Sequence, residues 1–171
     1  MDKRKKPTLV TGGCGFVGRH LVKKLIERGD DVWIIDNLFL GAHPDIWIKS
    51  FSKVGWGKLS RYKRGHQEIV FIQEDLIDFF QETLAERSEI KLPDFGDIFH
   101  LASIVGGRNL IDGDPILVAK DLAIDSIFFV WATRNKDKIE RIMYASSSAA
   151  YPVHHQSKEK HIPLHEDLIK F

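Results

Sequence analysis

The chain predicts an α/β fold, a doubly wound parallel sheet with helices on both faces. Three observations carry that expectation. Short apolar runs alternate along the chain with longer runs of helical period, the signature of strands joined by helical crossovers. The first apolar run leads straight into a glycine-rich turn, Thr11-Gly12-Gly13-Cys14-Gly15-Phe16-Val17-Gly18, and from there into an amphipathic helix. A second run, Val32-Trp33-Ile34-Ile35-Asp36, is apolar up to its closing acid, as a strand buried on both faces requires.

The elements follow in order. Thr8-Leu9-Val10 is the first strand, and Val17, Leu21, Leu25 and Ile26 mark the apolar face of the helix after the glycines. Arg19, Lys23, Lys24 and Glu27 mark its wet face, and Gly29 ends it. Ile69-Val70-Phe71-Ile72 reads as the third strand, Leu76 to Arg87 as a helix, and Asp97-Ile98-Phe99-His100-Leu101 as the fourth strand. Asp114-Pro115 supplies an N-cap and a favoured first helical residue. Ala119, Leu122, Ala123, Ser126, Ile127 and Val130 line one face of the long helix that starts there, and Arg141 to Ser146 is the fifth strand.

Two regions depart from the minimal pattern. The connection from Leu38 to Glu68 is long for an α/β domain and is expected to carry a short helix or two. Its basic residues Lys49, Lys53, Lys58, Arg61, Lys63 and Arg64 lie in a stretch, 49–67, without an acid. A solvated excursion anchored by Trp47 and Trp56 is the expectation, and a surface for a phosphate-bearing ligand or a partner is the alternative. The second region, 152–171, is polar and without strong periodicity. Residues 1–151 are therefore assigned to one α/β domain, and 152–171 to a polar segment leading towards a further helix.

Composition narrows the function classes. A length of 171 residues fits one domain with a sizeable core, and 43% hydrophobic with 29% charged residues is ordinary for a soluble globular protein. A formal net charge of +1 argues against nucleic acid or a membrane surface as partner, and no apolar run is long enough to span a bilayer. The one cysteine, Cys14, excludes an internal disulfide and suits a reducing cytoplasm. His154, His155, His161 and His165 are not read as a metal site: no cysteine or carboxylate cluster completes one, and Pro163 interrupts the helical spacing of the last two.

The glycine turn carries the chemistry. Gly13, Gly15 and Gly18 satisfy G-x-G-x-x-G, and Gly12, Gly15 and Gly18 satisfy G-x-x-G-x-x-G. Between a strand and a helix, this pattern is the pyrophosphate cradle of a Rossmann dinucleotide site, where phosphates meet free N–H groups and the positive end of a helix dipole. Asp36 lies about 20 residues further on, at a strand end, where a carboxylate accepts from the adenosine ribose hydroxyls. It would repel a 2′-phosphate, and no Arg or Lys in Asn37-Leu38-Phe39-Leu40 would neutralise one. NAD is therefore expected rather than NADP.

The glycine turn, Asp36-Asn37, Asp75-Leu76, His100-Leu101-Ala102 and Ala145-Ser146-Ser147-Ser148 to Tyr151-Pro152 occur in an order and spacing that resemble a known family. It is the extended short-chain dehydrogenase/reductases, specifically their NAD-dependent nucleotide-sugar epimerases and dehydratases. The resemblance covers essentially the whole chain. It implies that the turn residues Gly12 to Gly18 and the Asp36-Asn37 strand end bind NAD. It also implies that Asp75-Leu76 meets the adenine, while Leu101-Ala102-Ser103 passes beside the pyrophosphate and nicotinamide ribose. By itself Asp75 reads equally well as a helix N-cap, and His100 reads as a packed strand residue. Ser147, four residues before Tyr151, takes the catalytic hydroxyl position, with Ser148 as its alternative. The implied reaction is transient oxidation of a sugar carbon by hydride transfer to NAD, with a keto-sugar intermediate and a nucleotide-sugar substrate. A homodimer through the long helix is implied as well.

The departures are as informative. Epimerases and dehydratases of this family place a Tyr-x-x-x-Lys pair on the next helix, and this sequence holds none: Tyr144 is followed four residues on by Ser148, and Tyr151 by His155. The pair would be expected beyond Phe171, so the chain is expected to stop short of the catalytic helix and the C-terminal substrate domain, and to be inactive alone. The serine strand end and Val105-Gly106-Gly107 look closest to the GDP-mannose 3,5-epimerase branch. The cysteine of that branch, two residues before the motif tyrosine, is Ala149 here, so its thiol chemistry does not carry over. Arg108 in the following loop could face a phosphate or hydroxyl. The alternative to an enzyme is an NAD(P)-binding sensor or scaffold module.

Overall fold

A computed structural model describes residues 5–55, 57–105, 113–147, 150–152, 154 and 163–168. Its centre is a seven-stranded sheet in the order β3-β4-β5-β2-β1-β6-β7. The strands are β1 (Thr8–Thr11), β2 (Val32–Asp36), β3 (Ser52–Val54), β4 (Leu59–Arg64), β5 (Gln67–Gln73), β6 (Phe95–His100) and β7 (Ile139–Tyr144). The helices are α1 (Phe16–Glu27), α2 (Pro44–Trp47), α3 (Leu76–Leu84) and α4 (Pro115–Arg134). β5, β2, β1, β6 and β7 run parallel, as the alternating pattern predicts.

Alternate residues of the same strands feed two cores. Leu9, Trp33, Ile35, Val70, Ile72 and Ile98 face α3 and α4, where Phe79, Phe80, Phe128 and Trp131 close the first core. Val10, Val32, Ile34, Ile69 and Phe71 face the other way and bury Val22 and Leu25 of α1. Because every central strand is covered on both faces, the strands read as unbroken apolar runs.

Four expectations need correction. The 38–68 connection holds one short helix, α2, and an antiparallel hairpin, β3–β4, which extends the sheet along β5. Gly55 and Gly57, both at φ +87°, lie in the connection between its strands. In β4 the inward residues are Ser60 and Tyr62, so the alternation looked polar in the sequence. Along α1, Val22 is buried in place of Val17, which is largely exposed. Helix α3 stops at Leu84 rather than Arg87. Glu86 takes a left-handed φ of +59°, the Glu86 N–H bonds Thr83 O, and the Arg87 N–H bonds Glu82 O, a Schellman closure. In α4 the buried residues are Ile124, Phe128, Trp131 and Ala132, whereas Leu122 and Val130 of the expected face are exposed.

The basic excursion is tied down by ion pairs and hydrogen bonds. Lys53 meets Asp45 at 2.7 Å, Lys58 pairs with Glu74, and Arg61 and Lys63 share Glu68 at 3.0 and 3.5 Å. Lys49 donates to Asp45 O, and Arg64 donates to Ser50 and Gln67 and lies over the Phe51 ring. These charges are engaged within the excursion and with Glu68 and Glu74 beside it. Trp47 donates from Nε1 to Ala42 O, and Trp56 lies outside the described residues. No helix among the described residues is long and apolar enough to cross a membrane.

Candidate functional site

The sheet order changes direction at β1, with β2 on one side and β6 on the other. Ligands of open α/β sheets sit at such a switch point, outside the carboxyl ends of the strands. Three predicted segments converge there: the glycine turn after β1, Asp36-Asn37 at the end of β2, and Leu101-Ala102-Ser103 after β6.

The glycines of the turn have different reasons to be there. Gly12 sits at φ +67°, and a Cβ on it would lie 2.8 Å from the Cα and N of Ala102. The close approach of the β1 and β6 ends therefore requires glycine. A Cβ on Gly18 would run into Gly12 O and come within 2.7 Å of the Cα of Gly13, so this glycine lets α1 pack down on its own entry turn. On Gly13 it would meet Ile34 Cγ2 at 2.8 Å. Gly15 is the exception. A Cβ there meets nothing closer than Gly12 O at 3.4 Å, an ordinary van der Waals separation. Among the described residues, the protein's own packing leaves room for a side chain at Gly15.

Gly15 is also the N-cap of α1, without a side-chain cap and without an acid in the first turn. The first helical hydrogen bond runs from Arg19 N–H to Gly15 O. The N–H groups of Phe16, Val17 and Gly18 precede it and point out of the helix end. The side chains of Phe16 and Val17 are largely exposed beside them. Among the described residues, the end of α1 is thus a positively polarised set of donors without a side-chain cap, which suits an anion.

Asp36 is half-buried and held on both oxygens. Oδ2 accepts from Cys14 N–H at 2.9 Å and Oδ1 from Leu38 N–H at 2.8 Å. Burial raises its carboxyl above the usual carboxylate range, against these two N–H bonds. Each oxygen keeps a lone pair for a further donor. The Cys14 thiol is fully buried under Gly41; burial, and then the nearby Asp36, push its pKa upwards, so it is a packed neutral thiol.

Asp75 caps α3, accepting Ile77 N–H at 3.0 Å on Oδ1. Its Oδ2 accepts from Asn37 Nδ2 at 3.2 Å and from Lys120 Nζ at 3.0 Å. Burial would raise this carboxyl, but Lys120, the Ile77 N–H and Asn37 outweigh it and hold it below the ordinary value. Leu76 beside it is buried in the first core. Leu101 and Ala102 are half-buried and Ser103 is exposed; Ser103 donates to Asp121 Oδ1 at 2.9 Å, and that oxygen also accepts Ile104 N–H at 2.7 Å.

Strand β7 stops at Tyr144, short of the expected Ser146. The Ala145 N–H bonds His100 O, and Ser146 and Ser147 lie exposed past the strand's carboxyl end. Ser148, Ala149, the loop 106–112 with Arg108, and His155 and His161 lie outside the described residues, as does most of 152–171. Within that segment Glu166–Leu168 forms a 3-10 turn.

Sequence reasoning missed the polar residues of α4. Lys120, Asp121 and Asp125 point their side chains at Asp75, at Ser103 and Ile104, and at His100 and Tyr144. A usable signal was present: Asp121, Ile124, Asp125 and Phe128 share one face at i, i+3, i+4 and i+7, but the acids disguised it as a solvent face.

The sequence pattern of the NAD dependent epimerase/dehydratase family matches residues 8–168. The chain belongs to that family. NAD is the cofactor its description names. The chain is 29% identical over 163 residues to UDP-glucuronic acid decarboxylase 1 of Xenopus tropicalis, covering 92% of this chain and 32% of that protein. It is 31% identical over 142 residues to a putative UDP-glucose 4-epimerase of Methanocaldococcus jannaschii, covering 83% of this chain and 38% of that protein. Among solved structures, the UDP-N-acetylglucosamine 4-epimerase of Methanobrevibacter ruminantium M1, in complex with UDP-N-acetylmuramic acid, aligns with a TM-score of 0.65 at 26% identity. The match covers 95% of this chain and 43% of that one. The chain thus spans about a third of the length of the first curated relatives it matches.

Proposed function

We propose that this chain is the cofactor-binding part of a nucleotide-sugar enzyme that acts on UDP-linked sugars by reversible oxidation. The observation that carries the reading is the open position at Gly15 in front of the uncapped end of α1. The N–H groups of Phe16, Val17 and Gly18, with the backbone of Gly12, Gly13 and Cys14, hold the pyrophosphate. Asp36 accepts from the adenosine ribose hydroxyls while Cys14 and Leu38 keep its carboxylate aimed, and Asn37 lies beside it. Asp75 and Leu76 border the adenine, and Leu101, Ala102 and Ser103 border the nicotinamide end. NAD, when bound, supplies a hydride acceptor that can also return the hydride.

The residues of the chain then divide the remaining work. Ser147, beyond the β7 end, hydrogen-bonds the sugar oxygen and stabilises charge as the carbon is oxidised; Ser148 is its alternative. Removing hydride acidifies the neighbouring C–H, or labilises a neighbouring carboxylate, which fits epimerisation and decarboxylation alike. Both activities appear among the relatives' names. General-base work belongs to a Tyr-x-x-x-Lys pair, which these 171 residues do not contain.

Titration of the chain with NAD by calorimetry tests the reading. Saturable binding is expected, lost when the α1 end is blocked. Absence of binding to the folded chain rejects it. The alternative reading is a cofactor-binding module without turnover. Formation of NADH absorbance on adding UDP-sugars to the longest natural form of the protein would exclude the module.

A further inference from the structure

Thr11, His100, Asp125 and Tyr144 form one hydrogen-bonded line from the glycine turn to the end of β7, and the cofactor contacts above use none of it. Thr11, fully buried, is the residue before Gly12. Its Oγ1 lies 3.2 Å from the N–H of Leu101, 3.3 Å from that of Ala102, and 2.7 Å from His100 Nδ1. His100 Nε2 lies 3.1 Å from Asp125 Oδ1, and Tyr144 donates its hydroxyl to Asp125 Oδ2 at 2.5 Å. The imidazole is buried and stacked on Phe128, with centroids 3.9 Å apart and planes 4° apart.

Counting protons fixes the direction of every bond. A threonine hydroxyl has two lone pairs and one hydrogen. The Ala102 N–H donates to it, and the Leu101 N–H is shared between it and the Thr11 backbone O at 3.1 Å. A carboxylate only accepts, so Nε2 carries the proton of the buried neutral ring and donates to Asp125, and the bare Nδ1 accepts the Thr11 hydrogen. The groups facing the ring are Thr11 from β1, Asp125, Phe128 and Phe129 from α4, and Tyr144 from β7; Asp121 is the other nearby charge. Burial keeps the imidazole neutral against the pull of Asp125 and Asp121. Hydrogen bonding to Asp125, with burial, pushes the Tyr144 hydroxyl up to about 12, so it remains a donor.

The order hydroxyl, imidazole, carboxylate is that of a nucleophilic triad, but the Thr11 hydroxyl is fully buried and bonded to the Ala102 and Leu101 amides. Its work is mechanical. The Leu101 and Ala102 amides that Thr11 holds belong to the backbone lying against Gly12, where a Cβ would come within 2.8 Å of Ala102. We propose that His100, oriented by Asp125, is a positioning residue of the cofactor site: it sets the Thr11 hydroxyl so that the β6 end is held against the glycine turn. This rests on the NAD-binding reading given above.

The line makes a prediction that packing alone does not. Asp125 and Thr11 do not touch, yet their effects pass through one ring and are not additive. Asp125→Asn and Thr11→Val are each expected to weaken NAD binding by about tenfold, and the double variant by about tenfold as well. A double variant near a hundredfold, or single variants that bind as tightly as the wild type, overturns the proposal. The ¹⁵N resonances of His100 in the wild-type chain decide the matter even if a variant fails to fold. A fixed ring with bare Nδ1 and protonated Nε2 at neutral pH supports the line, and a mixed tautomer or a cationic ring overturns it. If wild type does not bind NAD, the cofactor reading fails, and the same spectrum still judges the line.

Discussion

Replacing Gly15 by Asp separates the needs of the fold from the needs of the ligand. Gly15 sits at φ −66° and ψ 179°, the extended backbone that an N-cap residue adopts, and a Cβ there finds ordinary contact distance. Aspartate is among the preferred caps, worth a few tenths of a kcal/mol over glycine. A carboxylate at a helix N-terminus contributes about 0.3–1 kcal/mol through the dipole. The variant should therefore be as stable as the wild type or more so by about 0.5–1 kcal/mol, which is roughly 1–4 °C in melting temperature for a domain of this size. The same carboxylate occupies the donors that the pyrophosphate needs. At about 5 Å, each like-charge pair costs about 1–3 kcal/mol between the dielectric of water and that of a protein surface. NAD affinity should fall by roughly a hundredfold or more. Thermal denaturation and calorimetric titration on one preparation read both quantities. A loss of stability above about 1 kcal/mol would mean that the fold itself requires glycine. Unchanged NAD affinity would place the pyrophosphate elsewhere. Either result refutes the reasoning.

Other predictions use different parts of the molecule. Gly18→Ala puts a methyl group into the Gly12 carbonyl and should destabilise the fold by about 1–3 kcal/mol or more, read by urea denaturation. Asp36→Ala should abolish the preference for NAD over NADP in competitive titration; a variant that still rejects NADP would show that the discrimination lies outside this carboxylate. Asp30, with its side chain 4% exposed, binds Lys5 and Arg28; burial would raise its carboxyl, but the two cations hold it below the ordinary value. A depressed folded-state pKa gives stability that is present above the unfolded value near 4 and lost as pH falls through the folded one. Asp30→Asn should therefore cost stability at pH 7 and converge with wild type in acid, where the wild-type advantage has gone; a constant gap across pH would contradict this. In a form of the protein with the full family length, Ser147→Ala should lower turnover much more than NAD affinity, and an equal loss with Ser148→Ala alone would move the role to that serine.

What the sequence revealed follows the range of the interactions. Strands covered on both faces announce themselves, because Ile34 and Ile35 must both be apolar whichever core they enter. The glycine turn and Asp36 were legible because the turn is local and the acid is one strand away. The β3–β4 hairpin was not, since its inward residues Ser60 and Tyr62 are polar by type and Tyr62 reaches Asp45 through its hydroxyl. The face of α4 is disguised for the same reason: Lys120 bonds the α3 cap Asp75, Asp121 and Asp125 bond groups at and just past strand ends, and the core is filled by Ile124, Phe128, Trp131 and Ala132 between and beyond them. The contacts of His100 with Thr11 and Asp125 span 89 and 25 residues, and no spacing rule encodes such separations.

These two classes of feature meet at one place. The close approach of Gly12 to Ala102 is permitted by a missing side chain and held by the Thr11 hydroxyl. The donors of α1 stay available because Gly15 offers them no cap, and the Asp36 carboxylate stays aimed because two backbone N–H groups hold it. Each of these arrangements is held by the protein's own contacts.

Parallel calorimetric titration of the folded chain with NAD and with NADP tests the central claim most directly. The account predicts saturable one-to-one binding of NAD and at least tenfold weaker binding of NADP, about 1.4 kcal/mol. No heat of binding with NAD, or NADP bound as tightly as NAD, would contradict it.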